Sequence, residues 1–212
     1  CSNGKYQDEY GFKGLSCTKE CSVGKYSNVP GIKTENDCKL CSSGKWSSKK
    51  GLPSDDACTS CVGGRYSVSG EGERTMDVCL ACAAGRYSIS GEAQTSIGVC
   101  KACIAGRYST SEAETSIDVC LACAAGRYSI SGEAQSSIGV CKACIAGKST
   151  NNIIGSIKCD ICSDGFYQNE NGLPNCVQCP LGRVFVSKNC GAQKKPEDHN
   201  DLDDCFICSQ AK

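Results

Sequence analysis

Residues 79–119 read CLACAAGRYSISGEAQTSIGVCKACIAGRYSTSEAETSIDV, and the same text begins again at Cys120 as CLACAAGRYSISGEAQSSIGVCKACIAGK, ending at Lys148. This is a super-repeat of 41 residues holding units of 21 and 20, one opening with Cys-Leu-Ala-Cys and the other with Cys-Lys-Ala-Cys. Self-similarity at a fixed short period is the signature of an array of small units, each too small to bury a core alone.

Outward from this block the unit persists in looser form. Cysteines fall in pairs at 17/21, 38/41, 58/61, 79/82, 100/103, 120/123, 141/144, 159/162, 176/179 and 205/208, with Cys1 and Cys190 unpaired by position. After the second cysteine of a pair come a glycine, usually Lys or Arg, and an aromatic: Tyr6, Tyr26, Trp46, Tyr66, Tyr87, Tyr108, Tyr128 and Tyr167. The divisions expected are divergent modules over 1–78, near-identical modules over 79–148, shortened modules over 149–179 and an irregular cysteine segment over 180–212. The module from Cys144 has Ser149 in place of the aromatic and a short loop, the mark of a bend or a contact point.

Glycine three residues after cysteine suits a tight turn with positive φ, and Lys/Arg-Tyr-Ser has the composition of a short strand. A polar turn such as Ser90-Gly91-Glu92 follows, and Ile97-Gly98-Val99-Cys100 is expected to return as the second strand. The fold class expected is therefore small disulfide-rich modules in tandem. Short β-hairpins and irregular loops with little helix form an elongated rod, in which each aromatic packs on a disulfide and on the neighbouring module. Stability is then a sum of module and nearest-neighbour terms.

The chain carries 22 cysteines in 212 residues, a density that points to disulfides and to an oxidising, extracellular or cell-surface compartment. The 23 basic and 23 acidic side chains balance, so no long-range field draws nucleic acid or anionic membrane. No apolar run approaches the length of a membrane span. No Asn-x-Ser/Thr sequon occurs, and the loop hydroxyls of Ser88, Ser109, Thr110 and Ser129 are candidate O-glycan sites.

The pairing expected joins the second cysteine of one pair to the first of the next: Cys1 to Cys17, Cys21 to Cys38, Cys41 to Cys58, Cys61 to Cys79, Cys82 to Cys100, Cys103 to Cys120, Cys123 to Cys141, Cys144 to Cys159 and Cys162 to Cys176. It leaves no cysteine over through Cys176, whereas a bridge inside each Cys-x-x-Cys would close a strained small ring. For the last segment crossed bridges are expected, Cys179 to Cys205 and Cys190 to Cys208. Spacing alone leaves connectivity open.

The unit Cys-x-x-Gly-(Lys/Arg)-Tyr-Ser, closed by a cysteine some 16 to 18 residues later, resembles the ephrin-receptor-like cysteine-rich repeat. It is also similar to the single-disulfide module of tumour necrosis factor receptor ectodomains. The resemblance runs to about Cys179 and implies an extracellular rod with the pairing above. Long arrays of this kind typify protist surface proteins, including ciliate surface antigens and flagellar-hair, mastigoneme-type proteins. The multi-disulfide second module of the cytokine-receptor repeat is absent here.

Zinc is the chief rival to disulfides, because paired Cys-x-x-Cys motifs have zinc-ribbon spacing, but so many pairs without accompanying histidine fit serial loops better. The cluster Glu197, Asp198, Asp201, Asp203 and Asp204 lacks the glycine and ligand spacing of a calcium loop, and His199 lies in the same polar insert with no nucleophile beside it. Neither metal nor other cofactor is expected, nor catalysis. The Lys/Arg that follows each glycine, from Lys5 to Arg127, is expected to be offset by the loop acids Glu92, Glu112, Glu114 and Glu133.

The terminal stretches Cys1-Ser2-Asn3-Gly4-Lys5 and Cys208-Ser209-Gln210-Ala211-Lys212 stand at one phase of the repeat. Head-to-tail contact between copies would imitate an internal junction, and unclosed heterologous contacts build filaments. A cut from a longer natural array gives the same phase. The function expected is a secreted, non-enzymatic structural subunit of an extracellular filament or appendage, its partner itself. The alternative is a cell-surface coat, adhesion or receptor-stalk ectodomain that meets glycans or other surface proteins.

Overall fold

The computed structural model describes residues 1–9, 17–180 and 200–202. Two compact units divide the chain: Cys1–Lys101 with Glu112–Ile117, and Ala102–Ser111 with Asp118–Lys212. The described residues of both are built from one element, a two-stranded antiparallel hairpin closed by a disulfide. Nine such hairpins occur among them, with short 3₁₀ turns and no longer helix.

The hairpin can be followed in the Cys123–Cys141 module. The chain turns at Ala124–Arg127, where the Arg127 N–H donates to the Ala124 carbonyl at 3.0 Å. Gly126 takes φ 80°, a conformation that costs a side-chain-bearing residue about 1 kcal/mol. Arg127–Tyr128 then pairs with Lys142–Ala143, Arg127 opposite Ala143 and Tyr128 opposite Lys142. The Cys144 N–H returns to the Gly126 carbonyl at 2.9 Å and completes the ladder.

The second strand is thus the dipeptide inside Cys-x-x-Cys, which closes one hairpin just before the next opens. The strand expected over Ile97-Gly98-Val99-Cys100 is not one. Ile97–Val99 is a 3₁₀ turn and the strand is Lys101–Ala102. The reason is local: Ser96 Oγ accepts from the Gly98 N–H at 3.1 Å, and the Cys100 N–H closes on the Ile97 carbonyl at 2.9 Å. Once curled, the turn leaves the Ile97 side chain 60% exposed.

With strands two residues long, no sheet face can bury much apolar area, and the core consists mainly of sulfur, joined by Leu52 and the buried tyrosines. Both cysteines of every bridge from Cys21–Cys38 to Cys123–Cys141 are buried. Val and Ile side chains such as Val68, Ile89 and Ile130 lie largely in solvent.

Candidate functional site: the junction between modules

The structure joins Cys1 to Cys17, Cys21 to Cys38, Cys41 to Cys58, Cys61 to Cys79, Cys82 to Cys100, Cys103 to Cys120, Cys123 to Cys141, Cys144 to Cys159 and Cys162 to Cys176. The expected bridges Cys179 to Cys205 and Cys190 to Cys208 involve residues outside the described ones. So do His199 and all but Asp201 of the acidic cluster. A sulfur held in a disulfide has no thiolate to offer a metal. Among the described residues no group of three or more His, Cys, Asp or Glu side chains converges.

The aromatics sit on the next module's sulfur. Tyr26 packs against Cys41, Cys58 and Leu52, Tyr66 against Cys82 and Cys100, Tyr108 against Cys123 and Cys141, and Tyr167 against Cys179. Tyr87 is buried to the same extent as Tyr66 and Tyr108. Tyr6, Trp46 and Tyr128 are half-buried at the same place in their hairpins. A flat, polarizable ring against a disulfide joins two modules that separately lack a core.

The serine after the aromatic is a structural residue. Ser67, Ser88, Ser109 and Ser129 are 2% exposed or less. The N–H of each donates into the loop of the following module, as Ser67 to the Gln94 carbonyl at 2.9 Å and Ser88 to the Glu114 carbonyl at 2.8 Å. At Ser27 the carbonyl is used as well, accepting from the Gly4 N–H of the preceding module at 2.9 Å. Ser88, Ser109 and Ser129 are therefore withdrawn as glycan acceptors, because a buried hydroxyl is closed to a transferase. Thr110 is exposed.

The firmest lock reaches past the neighbour. Ala113 belongs to the Cys103–Cys120 module, and its N–H donates to the Cys82 carbonyl of the preceding module at 2.8 Å. Its own carbonyl lies against the Cα of Gly64, one module further back, so close that a Cβ on Gly64 would overlap the oxygen. One peptide thus ties three modules. In the second unit Gly155 does the same between Cys123 and Gly106, and Gly172 between Cys144 and Gly126. Stability here is more than a nearest-neighbour sum.

The tying residue is left-handed everywhere: φ is 68° at Gly51, 78° at Gly72, 68° at Gly155 and 82° at Gly172, but Ala holds the place at 93, 113 and 134 with φ of 56°, 57° and 60°. Alanine there stores roughly 1 kcal/mol of backbone strain. Ala113→Gly is expected to stabilise the chain by at most about 0.5 kcal/mol, after the offset of roughly 0.4–1 kcal/mol from glycine's greater unfolded entropy. A higher guanidinium midpoint with the bridges intact would show it.

From Lys25 to Arg127 the cation after the turn glycine is spent inside its own module. In the first modules Lys25 pairs with Glu35 at 3.2 Å and Lys45 with Asp55 at 2.7 Å. Later the guanidinium donates to the carbonyl of the closing cysteine, Arg65 to Cys79 at 2.9 Å and Arg127 to Cys141 at 3.0 Å. Ion pairs found among the described residues use Asp8, Glu20, Glu35, Asp55 and Asp160. The expected offset by Glu92, Glu112, Glu114 and Glu133 is not what the structure uses, because the Arg fork already has a carbonyl within its own hairpin.

Glu35 and Asp55 also accept from the turn amides of Ser22 and Ser42. Burial pushes both carboxyls up, but Ser22 with Lys25, and Lys45 with Ser42, outweigh it and hold each below its ordinary value. Folded carboxylates that bind protons less readily than unfolded ones stabilise fully above the ordinary pKa of about 4, and that contribution is lost as pH falls through the depressed value. Guanidinium midpoints should be level from pH 7 to about pH 5 and fall below about pH 4. In the double variant Glu35→Gln/Asp55→Asn the stability at pH 7 should drop by up to about 1 kcal/mol per pair, with a flatter acid limb.

Residues 147–195 match the family described as tyrosine-protein kinase ephrin type A/B receptor-like. The match spans less than half of the chain. Together with the tandem series of disulfide-closed hairpins it supports cysteine-rich receptor-like repeats. No curated protein matches the chain. Receptor-like repeats of this sort are disulfide-rich structural modules, typically non-catalytic, and mark an extracellular, disulfide-stabilised protein. Among the described residues no helix is long and apolar enough to cross a membrane.

The sequence reading did not find the tying residues Gly51, Gly72, Ala93, Ala113, Gly155 and Gly172 of the repeat array. Their signal was a small residue recurring once per module in the loop, hidden because the place is Gly in some modules and Ala in others.

Proposed function

We propose that the chain is a mechanical element, a secreted structural protein whose receptor-like repeats serve as a subunit of an extracellular filament or appendage. The observation that carries this reading is the three-module tie made by Ala113, Gly155 and Gly172. Binding modules present side chains outward. Here the recurring aromatic, serine and glycine are used to fasten one module to the next, and the cation braces its own hairpin. A chain built this way transmits strain along its length through backbone hydrogen bonds and closed loops, with bridges that resist unfolding. Self-association by the same contacts would extend the array between copies.

Negative-stain electron microscopy of the non-reduced protein over a range of concentrations tests it. Uniform filaments with an axial repeat of one chain are expected. Isolated particles at every concentration would overturn the filament reading and favour a surface-coat or receptor-stalk role.

A further inference from the structure

Apart from the first bridge, whose Cys1 is exposed, the shortened modules guard their sulfur less completely than the rest. From Cys21 to Cys141 every bridged cysteine is buried, but Cys159 and Cys176 are only partly so, while their partners Cys144 and Cys162 are 0% and 2% exposed. Cys159 borders a cavity of about 220 Å³ where Tyr128, Ile130 and Ile145 still stand beside it. Cys176 opens on a larger one, about 300 Å³, lined also by Asn151, Ser163, Phe166 and Asn175.

Two replacements distinguish this module. Phe166 stands where Arg65, Arg86, Arg107 and Arg127 donate to the closing cysteine's carbonyl, and a phenyl ring has no N–H to give. Ser149 stands where the preceding module would lay an aromatic on the bridge, and its Oγ lies 3.3 Å from Cys176 Sγ.

We propose that the Cys162–Cys176 bridge is a thiol–disulfide exchange site, reached through this cavity by a small external thiol. The external thiolate attacks Cys176 Sγ and the bond to Cys162 breaks. Cys162 leaves as a thiolate that takes a proton from solvent, and Cys176 is left as a mixed disulfide. A second external thiol attacks the external sulfur of that mixed disulfide, releasing Cys176 as a thiol and one small-molecule disulfide. Two thiols are oxidised and one bridge is reduced. Access decides the site, since exchange requires the attacking sulfur to reach its target in line. Opening this bridge frees the 162–176 loop, which carries Gly172 and with it the tie to Cys144 and Gly126. The array then has an internal joint that a reducing environment can release.

The test exposes the oxidised full chain to limiting reduced glutathione, quenches with acid, alkylates and maps labelled cysteines by mass spectrometry. Cys162 and Cys176 are expected to become labelled at least tenfold faster than Cys82 and Cys100 or Cys123 and Cys141. Ser163→Ile fills the cavity mouth with a residue that Ile104 and Ile145 already place at the same module position. It should slow labelling of Cys162 and Cys176 at least threefold and leave the other bridges unchanged. Equal labelling of Cys162–Cys176 and the buried bridges would overturn the assignment, as would a folded Ser163→Ile protein with undiminished exchange. If that variant does not fold, the rates in the unaltered chain decide.

Discussion

Gly64→Ala is expected to cost about 3–5 kcal/mol, an unusually large effect for a single methyl group. Gly64 has φ 77°, which charges alanine about 1 kcal/mol before any contact is considered. The added Cβ would then overlap the Ala113 carbonyl, a backbone atom with no rotamer to yield. Relief requires the loop over 112–117 to lift, which breaks the Ala113-to-Cys82 and Ser88-to-Glu114 hydrogen bonds. Each is worth about 1 kcal/mol, and more where a buried partner is left unpaired. Gly91→Ala is the control: its surroundings are open and its φ is not left-handed, so it should fall within about 0.5 kcal/mol of the parent. Guanidinium midpoints, with hydrogen exchange at the Ala113 amide, measure both.

The double substitution Cys123→Ser/Cys141→Ser should lower stability by roughly 3–5 kcal/mol. Loop-closure entropy for a loop of this length gives about 3 kcal/mol. The rest comes from packing, because these two sulfurs are the surface on which Tyr108 and Val140 lie. Tyr108→Phe on the intact bridge should cost far less, since the ring stays in place. A loss confined to the amides of the Cys123–Cys141 loop would show that modules fail singly. Loss extending to the amides of Ser109 and Gly155, which lie outside that loop and donate across the junctions to the Gln135 and Cys123 carbonyls, is the outcome that coupled modules require.

Much of this was legible from residue types. The glycine that must be left-handed, the aromatic that needs a partner and the cysteine closing each loop all declare themselves chemically. Two things did not. Ile97-Gly98-Val99 has strand-like residues, yet the strand is the two-residue Lys101–Ala102, far too short for alternation to be visible. Gly64 and Ala113 lie two modules apart and each reads as a turn residue, because sequence shows the conformation a glycine permits but not the backbone that approaches it. The buried serines misled for a related reason: Ser88 is held by its peptide group, which carries no residue-specific signal.

The central claim, that tension passes through the junctions as well as through the bridges, is tested most directly by stretching single non-reduced chains in an optical trap. The expected result is little extension until a cooperative, high-force event, with Gly64→Ala lowering that force. Modules that peel apart one by one at low force with every bridge intact would contradict it.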